Sequence, residues 1–223
     1  MFCASIRTRL RAEAALHRAV PADNGYHPRR QWDLYFAQHG EDRFLVENAL
    51  VPAKGLFIDV GAEDGISLSN TFFFERTGWT GFLIEPNPKV ALFCRMNRRS
   101  PVIQAAIGSD PTLKLNIHPI RGWSGLLDEG RGTKVDVEIY RLDDLLLKLQ
   151  VPSIDLLSID TEGTEIDVMS TLDMEKYQPK IIIVEYHTWE GKLNTESELM
   201  SYFSDRPYTM IHKTPGNLIF KRN

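Results

Sequence analysis

Cysteine is nearly missing from this chain. Its 223 residues hold only Cys3 and Cys94, far apart and at no metal-ligand spacing, so free thiols in a reducing, cytoplasmic compartment are expected. Cys94 reads as a small core residue on a helix. No apolar run approaches the ~18 residues that a bilayer span needs, so no membrane span is expected and the chain reads as soluble. A basic excess is absent as well. The 26 Lys and Arg face 30 Asp and Glu, a formal charge of −4, whereas nucleic-acid binders carry a net basic surface to displace counterions from phosphate. No nucleic-acid partner is expected, although a local basic patch stays open. Internal repeats and low-complexity tracts are lacking too. What remains is ordinary globular composition, 43% hydrophobic and 25% charged, at a length that suits one large domain with a continuous core.

Charge is unevenly spread. In the first 30 residues Arg7, Arg9, Arg11, Arg18, Arg29 and Arg30 face only Glu13 and Asp23, leaving 20 basic against 28 acidic residues for the rest. Ile6, Leu10 and Ala14 fall at helical spacing there, a pattern shared with organelle transit peptides. A basic amphipathic run is weak evidence on its own. The expectation is a basic N-terminal extension over residues 1–30, of helical character, ahead of a single domain over 31–223.

From Trp32 onward short apolar runs alternate with helical patterns, which predicts an α/β fold with a mainly parallel sheet. "GEDRFLVENAL" (40–50) predicts a helix closed by Pro52, and "GLFIDVG" (55–61) the first buried strand. A helix is predicted over Ser67–Thr77 and a second strand in "GFLIEPNP" (81–88). Another helix starts at once, with Asn87 as N-cap and Pro88 in the first position. "PVIQAAIG" (101–108) reads as strand three, "IDLLSID" (154–160) as strand four with its helix beginning near Thr164, and "IIIVEYH" (181–187) as strand five. "LKLNIHP" from Leu113 and "VDVEIY" from Val135 alternate with period two, which predicts an inserted antiparallel hairpin around the loop "RGWSGLLDEGRG". Thr195 and Glu198 fit a capping box. "YTMIH" and "NLIFK" lie close enough across "KTPG" to require an antiparallel hairpin.

The turn after the first strand, "FIDVGAEDGISLSNT" (57–71), has the outline of a nucleotide loop without its spacing. Dinucleotides prefer GxGxxG, because pyrophosphate must approach the backbone amides at a helix N-terminus. Here Gly61 and Gly65 stand at a GxxxG spacing. Asp59, Glu63 and Asp64 would also repel a pyrophosphate, by about 1 kcal/mol at ~4 Å even in water. An acidic turn suits S-adenosylmethionine, which has no phosphate and carries an ammonium and a sulfonium. Glu85, at the end of the second strand, can accept both ribose hydroxyl protons. Pro86 and Asn87 would flank the adenine, whose other side is bordered by Gln104 or the backbone near Ala105 and Ala106, unless these simply pack.

In this order "QHGEDRFL" (38–45), "FIDVGAEDGISLSNT", "GWTGFLIEPNP" (78–88), "AAIG" (105–108) and "IDLLSIDTEGTEIDV" (154–168) resemble the FkbM-type methyltransferases, a class I S-adenosylmethionine-dependent family. The resemblance covers about residues 36–220. It implies a Rossmann-like class I fold, with a mainly parallel seven-stranded sheet of order 3-2-1-4-5-7-6, a C-terminal antiparallel hairpin and the inserted β-hairpin. It further implies S-adenosyl-L-methionine as cofactor, S-adenosyl-L-homocysteine as product, and O-methylation of a hydroxyl on a small-molecule or carbohydrate acceptor. The cofactor-binding set expected is Gln38, His39, Asp59, Gly61, Ala62, Glu63, Gly65, Asn70, Glu85, Pro86, Asn87, Ala105 and Asp160. Two alternatives stay open: a methyltransferase-like binding protein without turnover, and a dinucleotide-dependent oxidoreductase.

Methyl transfer to oxygen is an in-line displacement, in which the protein must align a hydroxyl and help remove its proton. Ligands of open α/β sheets sit beyond the carboxyl ends of the strands. Those ends offer Asp160 and Glu162 after strand four, Glu185 and His187 after strand five, and His39. The catalytic candidates are Asp160, His187 and Glu162. Asp160 is chosen by position. His187 is either a general base, its ordinary pKa of about 6.5 leaving it largely neutral at pH 7, or a satisfied strand-end histidine. Glu162 either holds substrate or braces the turn at Gly163. Glu165 and Asp167 read as structural acids in a first helical turn. A divalent Mg²⁺ or Mn²⁺ could be accepted by Asp160, Glu162 and His187, but the resemblance does not require an ion and none is expected. Trp123 is either a stacking surface for the acceptor or an anchor of the inserted hairpin. His17, His27, His118 and His212 have no motif context.

Overall fold

A computed structural model describes residues 35–117, 124–126, 132–186 and 194–223. In chain order the elements are α1 (Glu41–Glu47), β1 (Leu56–Val60), α2 (Phe72–Arg76), β2 (Thr80–Ile84), α3 (Pro88–Asn97), β3 (Val102–Ile103), β4 (Ala106–Ile107), β5 (Leu115–Ile117), β6 (Thr133–Val135) and β7 (Ile139–Tyr140). There follow α4 (Leu142–Leu149), β8 (Leu156–Ile159), α5 (Glu165–Ser170), α6 (Met174–Tyr177), β9 (Ile181–Glu185), α7 (Glu196–Phe203), β10 (Tyr208–Lys213) and β11 (Asn217–Arg222). Seven strands form one sheet in the order β10-β11-β9-β8-β1-β2-β3. Five run parallel, and β11 pairs antiparallel with both β9 and β10. Renumbered within this sheet, the order is 3-2-1-4-5-7-6, as expected.

The strands are apolar in both side-chain directions because both faces are covered. Period-two alternation sends Leu157, Ile159, Ile182 and Val184 to one face, under Leu142, Leu145 and Leu146 of α4, Val168 and Met169 of α5, and Leu199 and Phe203 of α7. Leu156, Ile181 and Ile183 go to the other, under Leu45 of α1, Phe74 of α2, and Ala91 and Cys94 of α3. Burying each large apolar side chain contributes about 1.5–3 kcal/mol. The result is a helix–sheet–helix sandwich in which Cys94 is a free, buried thiol. Among the described residues no helix is long and apolar enough to cross a membrane.

Four local expectations are corrected. The helix predicted over Ser67–Thr77 begins only at Phe72. Asp64 Oδ1 accepts from the N–H groups of Ile66 (2.9 Å) and Ser67 (2.7 Å), and Ser69 Oγ from those of Thr71 (3.3 Å) and Phe72 (3.2 Å). Side chains that take up backbone donors in this way hold turns in place of a helix. Strand three is divided: β3 stays beside β2, while β4 turns off to pair in parallel with β7. The capping box does not form, since Asn194 Oδ1 accepts from the Glu196 N–H (3.1 Å) while Thr195 Oγ1 turns to the Tyr186 carbonyl (3.4 Å). Asn87 and Pro88 do start α3, the Asn87 side chain accepting from the Lys89 N–H at 3.1 Å. The inserted antiparallel pair is β5 with β6, so its second strand is Thr133–Val135 and not the run from Val135 to Tyr140, whose end forms β7 beside β4; Trp123 in its loop lies outside the described residues.

Candidate active site

All five parallel strands end on one side of the sheet. There the chain leaves β1 at Gly61, β2 at Glu85 and β8 at Asp160, while β9 ends on Glu185. β11 runs the other way, so its first residue, Asn217, arrives at this end, paired opposite Glu185. Between these strand ends and the loops over them lies a cavity of about 610 Å³, within the range of small-molecule sites.

Gly61 pins three strands at one point. Its φ is +83°, and a Cβ there would lie 1.6 Å from the Asp160 carbonyl oxygen. Its N–H donates to the Ile84 carbonyl at 2.9 Å. The close approach that only glycine allows is therefore first to a neighbouring strand's exit, before any ligand arrives.

Glu85 is buried beside this turn. Its carboxylate accepts from the N–H groups of Glu63 (3.0 Å) and Asn87 (2.7 Å), which ties the glycine turn to the start of α3. Burial pushes its carboxyl up to about 8, with Glu63 and Asp160 adding repulsion and the two N–H bonds opposing.

Beneath the turn lies a buried cation that the sequence did not single out. Arg98 pairs with Glu75 at 3.1 Å and donates to the Gly65 carbonyl (2.9 Å) and to Thr71 Oγ1 (3.1 Å). Thr71 Oγ1 in turn donates to Asp59. Burial raises the Asp59 carboxyl, and the Arg98 guanidinium lowers it in part. Part of the acidity of the turn is thus answered from below, by protein. "NRRS" at the end of a helix gives no sign of which arginine folds inward.

Gln38, His39, Asp59, Gly61, Ala62, Glu63, Asn70, Glu85, Pro86, Asn87, Ala105, Asp160 and Glu162 all line the cavity. Gly65 does not. It sits behind the turn at φ +81°, where a Cβ would meet Arg98 Cγ at 2.6 Å and Cys94 Sγ at 2.9 Å. Asp64 is taken up by its own turn and is not part of the lining. His187, the histidine candidate, lies outside the described residues. Glu165 and Asp167 hold loops: Glu165 Oε1 accepts from the N–H groups of Thr161 and Gly163 (both 3.0 Å), and Asp167 Oδ2 from that of Ser109 (3.0 Å).

The far wall brings together residues distant in sequence. Asp160, just past β8, and Glu185, closing β9, stand side by side, and with Glu162 they place carboxylate oxygens within 4.8 Å of one another. Burial raises both paired carboxyls, and the charge of Asp160 raises Glu185 further. Among the described residues Glu185 Oε2, Asn217 Oδ1 and Asn70 Oδ1 are buried without a hydrogen-bond partner. Asn217 Nδ2 donates to Glu41 Oε1 at 2.8 Å, which also accepts from Thr214 Oγ1 at 2.9 Å. Glu41 Oε2 accepts from the His39 N–H at 3.0 Å. The turn between β10 and β11 is thereby fastened to the segment before α1. Asn217 carries no local motif, Glu41 stood in "QHGEDRFL" without an assigned role, and Glu185 was only a strand-end acid without a role.

The family described as Methyltransferase FkbM domain matches residues 59–210. The 2-O-methyltransferase NoeI of Sinorhizobium fredii (strain NBRC 101917 / NGR234) is 29% identical over 164 residues, 62% of this chain and 67% of that protein. Among solved structures, precorrin-6y C5,15-methyltransferase from Geobacter metallireducens GS-15 aligns with a TM-score of 0.49 at 12% identity, covering 91% of this chain and 98% of that one. Magnesium protoporphyrin IX methyltransferase (ChlM) from Synechocystis PCC 6803 aligns at 0.46 and 13%, covering 82% and 76%. The cavity-lining stretches 38–39 and 215–217 fall outside the family match. That match spans more than half of the residues and takes in the glycine turn, Glu85, Asp160 and Glu185, so the chain belongs to the FkbM methyltransferase family.

Proposed function

We propose that this protein uses S-adenosylmethionine to methylate a hydroxyl of a small molecule or carbohydrate. The observation that carries the reading is Glu85, a buried carboxyl at the end of the second parallel strand beside a glycine turn that presents acids to the cavity. A phosphate cradle needs free backbone donors. Here the N–H of Glu63 is already taken by Glu85, and that of Asp64 by Glu63. A dinucleotide is disfavoured on that ground as well as by charge.

The cavity fits the proposed cofactor. Glu85 offers carboxylate oxygens to two ribose hydroxyls, with Pro86, Asn87 and Ala105 bordering the base. Asn70 Oδ1, buried without a partner among the described residues, accepts from the ammonium. When bound, the cofactor supplies an electrophilic methyl group on a sulfonium. The chain binds it, orients a hydroxyl toward it and receives a proton. In this reading Asp160 stands nearest the reacting centre, Glu162 borders the acceptor, and His187 follows as a further candidate. A relative named as a 2-O-methyltransferase supports oxygen as the methylated atom. The unit responsible is residues 31–223, working in the cytoplasm, with residues 1–30 an appended segment.

Calorimetry with S-adenosylhomocysteine and with NAD tests the cofactor. Binding of the first and not the second is expected, and the reverse would overturn the reading. Tritiated-methyl transfer to a panel of hydroxyl acceptors then separates an enzyme from a binding protein.

A further inference from the structure

Glu185 has no role in the reading above, and its surroundings supply one. It closes β9 one residue after Val184, which pairs with Ile159, so its carboxyl stands beside that of Asp160. A carboxylate oxygen of each lies within 4.8 Å of one of the other. Two carboxyl groups this close disfavour a double negative charge, so the pair holds one proton between its members. The other oxygen, Glu185 Oε2, is buried without a partner among the described residues, in a side chain that lines the cavity. Asn217 Oδ1, on the strand paired opposite, is in the same condition. This corner therefore offers two unpartnered acceptors, and suits a ligand that brings an O–H.

We infer that Glu185, paired with Asp160, takes the proton of the acceptor hydroxyl during methyl transfer. The inference rests on the S-adenosylmethionine reading and adds the proton's destination. A lone pair of the hydroxyl oxygen forms the O–CH₃ bond. The CH₃–S bond breaks, its electron pair staying on sulfur and neutralising the sulfonium. The O–H proton passes to Glu185 Oε2 as the shared proton moves onto Asp160. The pair goes from one shared proton and one negative charge to two protons and none, and water removes the extra proton when the product leaves.

The groups facing the pair are Asp59 from β1, Glu162 and Glu165 after β8, Glu41 from α1, and His39 ahead of it. Burial and these carboxylates raise both members. The pair is thus moved up from the ordinary carboxylate range toward neutral pH, which is the condition for an effective base. Activity falls as the pH drops and the pair fills with two protons.

The test uses full-length wild type, Glu185→Gln and Glu185→Asp. S-adenosylhomocysteine should bind all three alike by calorimetry. A wild type that does not bind it overturns the cofactor reading and the inference with it. Tritiated-methyl transfer to methyl glycosides and simple polyols should fall ~10²- to 10⁴-fold in Glu185→Gln and less in Glu185→Asp. The acidic fall-off of kcat/KM should vanish in Glu185→Gln. Carboxyl ¹³C NMR of the S-adenosylhomocysteine complex should show two coupled titrations in wild type and a single step in Glu185→Gln. Four results overturn the inference alone: unaltered transfer and pH profile in Glu185→Gln, independent titration of both carboxyls in the ordinary carboxylate range, no transfer to any probe by a wild type that binds S-adenosylhomocysteine, or turnover abolished by EDTA and restored by Mg²⁺, which would make these carboxylates metal ligands.

Discussion

Replacing Glu85 with glutamine keeps its size and removes its charge, at a position where charge and cofactor are coupled. Burial lifts this carboxyl from 4.5 to about 8, so without ligand at pH 7 it is mostly protonated. At 1.36 kcal/mol per pH unit the lift amounts to roughly 5 kcal/mol between its two protonation states. Two ribose hydroxyls donating to it favour the ionised form, so binding should expel a proton. The affinity of wild type for S-adenosylhomocysteine should therefore rise with pH toward 8, approaching tenfold per unit, and level off above. Glu85→Gln should lose that dependence. It should also bind about 10- to 150-fold more weakly at pH 8, the equivalent of ~1.5–3 kcal/mol for hydrogen bonds to a charged group. The sign for stability is opposite. A carboxyl raised in the folded state contributes stability that is fully present below its unfolded value and is lost as pH rises through 8, so the unliganded wild type should lose stability between about pH 5 and 8 more steeply than the variant. Calorimetry at pH 6, 7 and 8 in buffers of different ionisation enthalpy reads affinity and proton release together. A wild-type affinity that is flat across this range and equal to that of Glu85→Gln would refute the reasoning.

Gly61→Ala should lower the urea midpoint of unfolding as well as cofactor binding, because its Cβ would lie 1.6 Å from the Asp160 carbonyl and its positive φ adds ~1–3 kcal/mol of strain; native stability with intact binding would contradict this. Arg98→Leu should cost ~3–5 kcal/mol in urea titration, since it strands Glu75 and Asp59 as buried acids, and adding Glu75→Gln should restore part of the loss. A cost under ~1 kcal/mol would mean the pair is worth no more than a surface one. Glu41→Ala releases Thr214 and Asn217, so hydrogen exchange at the Asn217 amide should quicken, and unchanged protection would show that the turn holds itself.

The half of the site nearest the glycine turn was legible because its signals are local. β1, Gly61, the end of β2, Glu85 and the Asn87–Pro88 helix start all lie within one strand–turn–helix–strand unit, where apolar runs and turn residues act over short spans. What failed was decided by partners elsewhere. Ser67–Thr71 has helical spacing, but Asp64 and Ser69 take up its backbone donors. Thr195 was a fair N-cap until the Tyr186 carbonyl claimed its hydroxyl. Gly65 was read as a ligand contact, yet its missing side chain makes room for Arg98. Arg98, Glu41 and the Asp160–Glu185 pair depend on contacts across tens of residues, and the roles of their side chains are fixed only when the sheet assembles.

Glu41 joins two stretches, the one ahead of α1 and the turn before β11, that both lie beyond the family-matched span and both line the cavity. One wall of the chamber thus comes from two chain-distant stretches clamped together by one carboxylate, the second of them also held by the sheet's ladder where Asn217 pairs opposite Glu185. Exchanging 36–41 together with 214–217 between relatives would replace that wall as a unit and leave Gly61, Glu85 and Asp160 in place. Such an exchange would reshape the cavity at 38–39 and 215–217 from outside the family-matched span, as loops on a fixed scaffold allow.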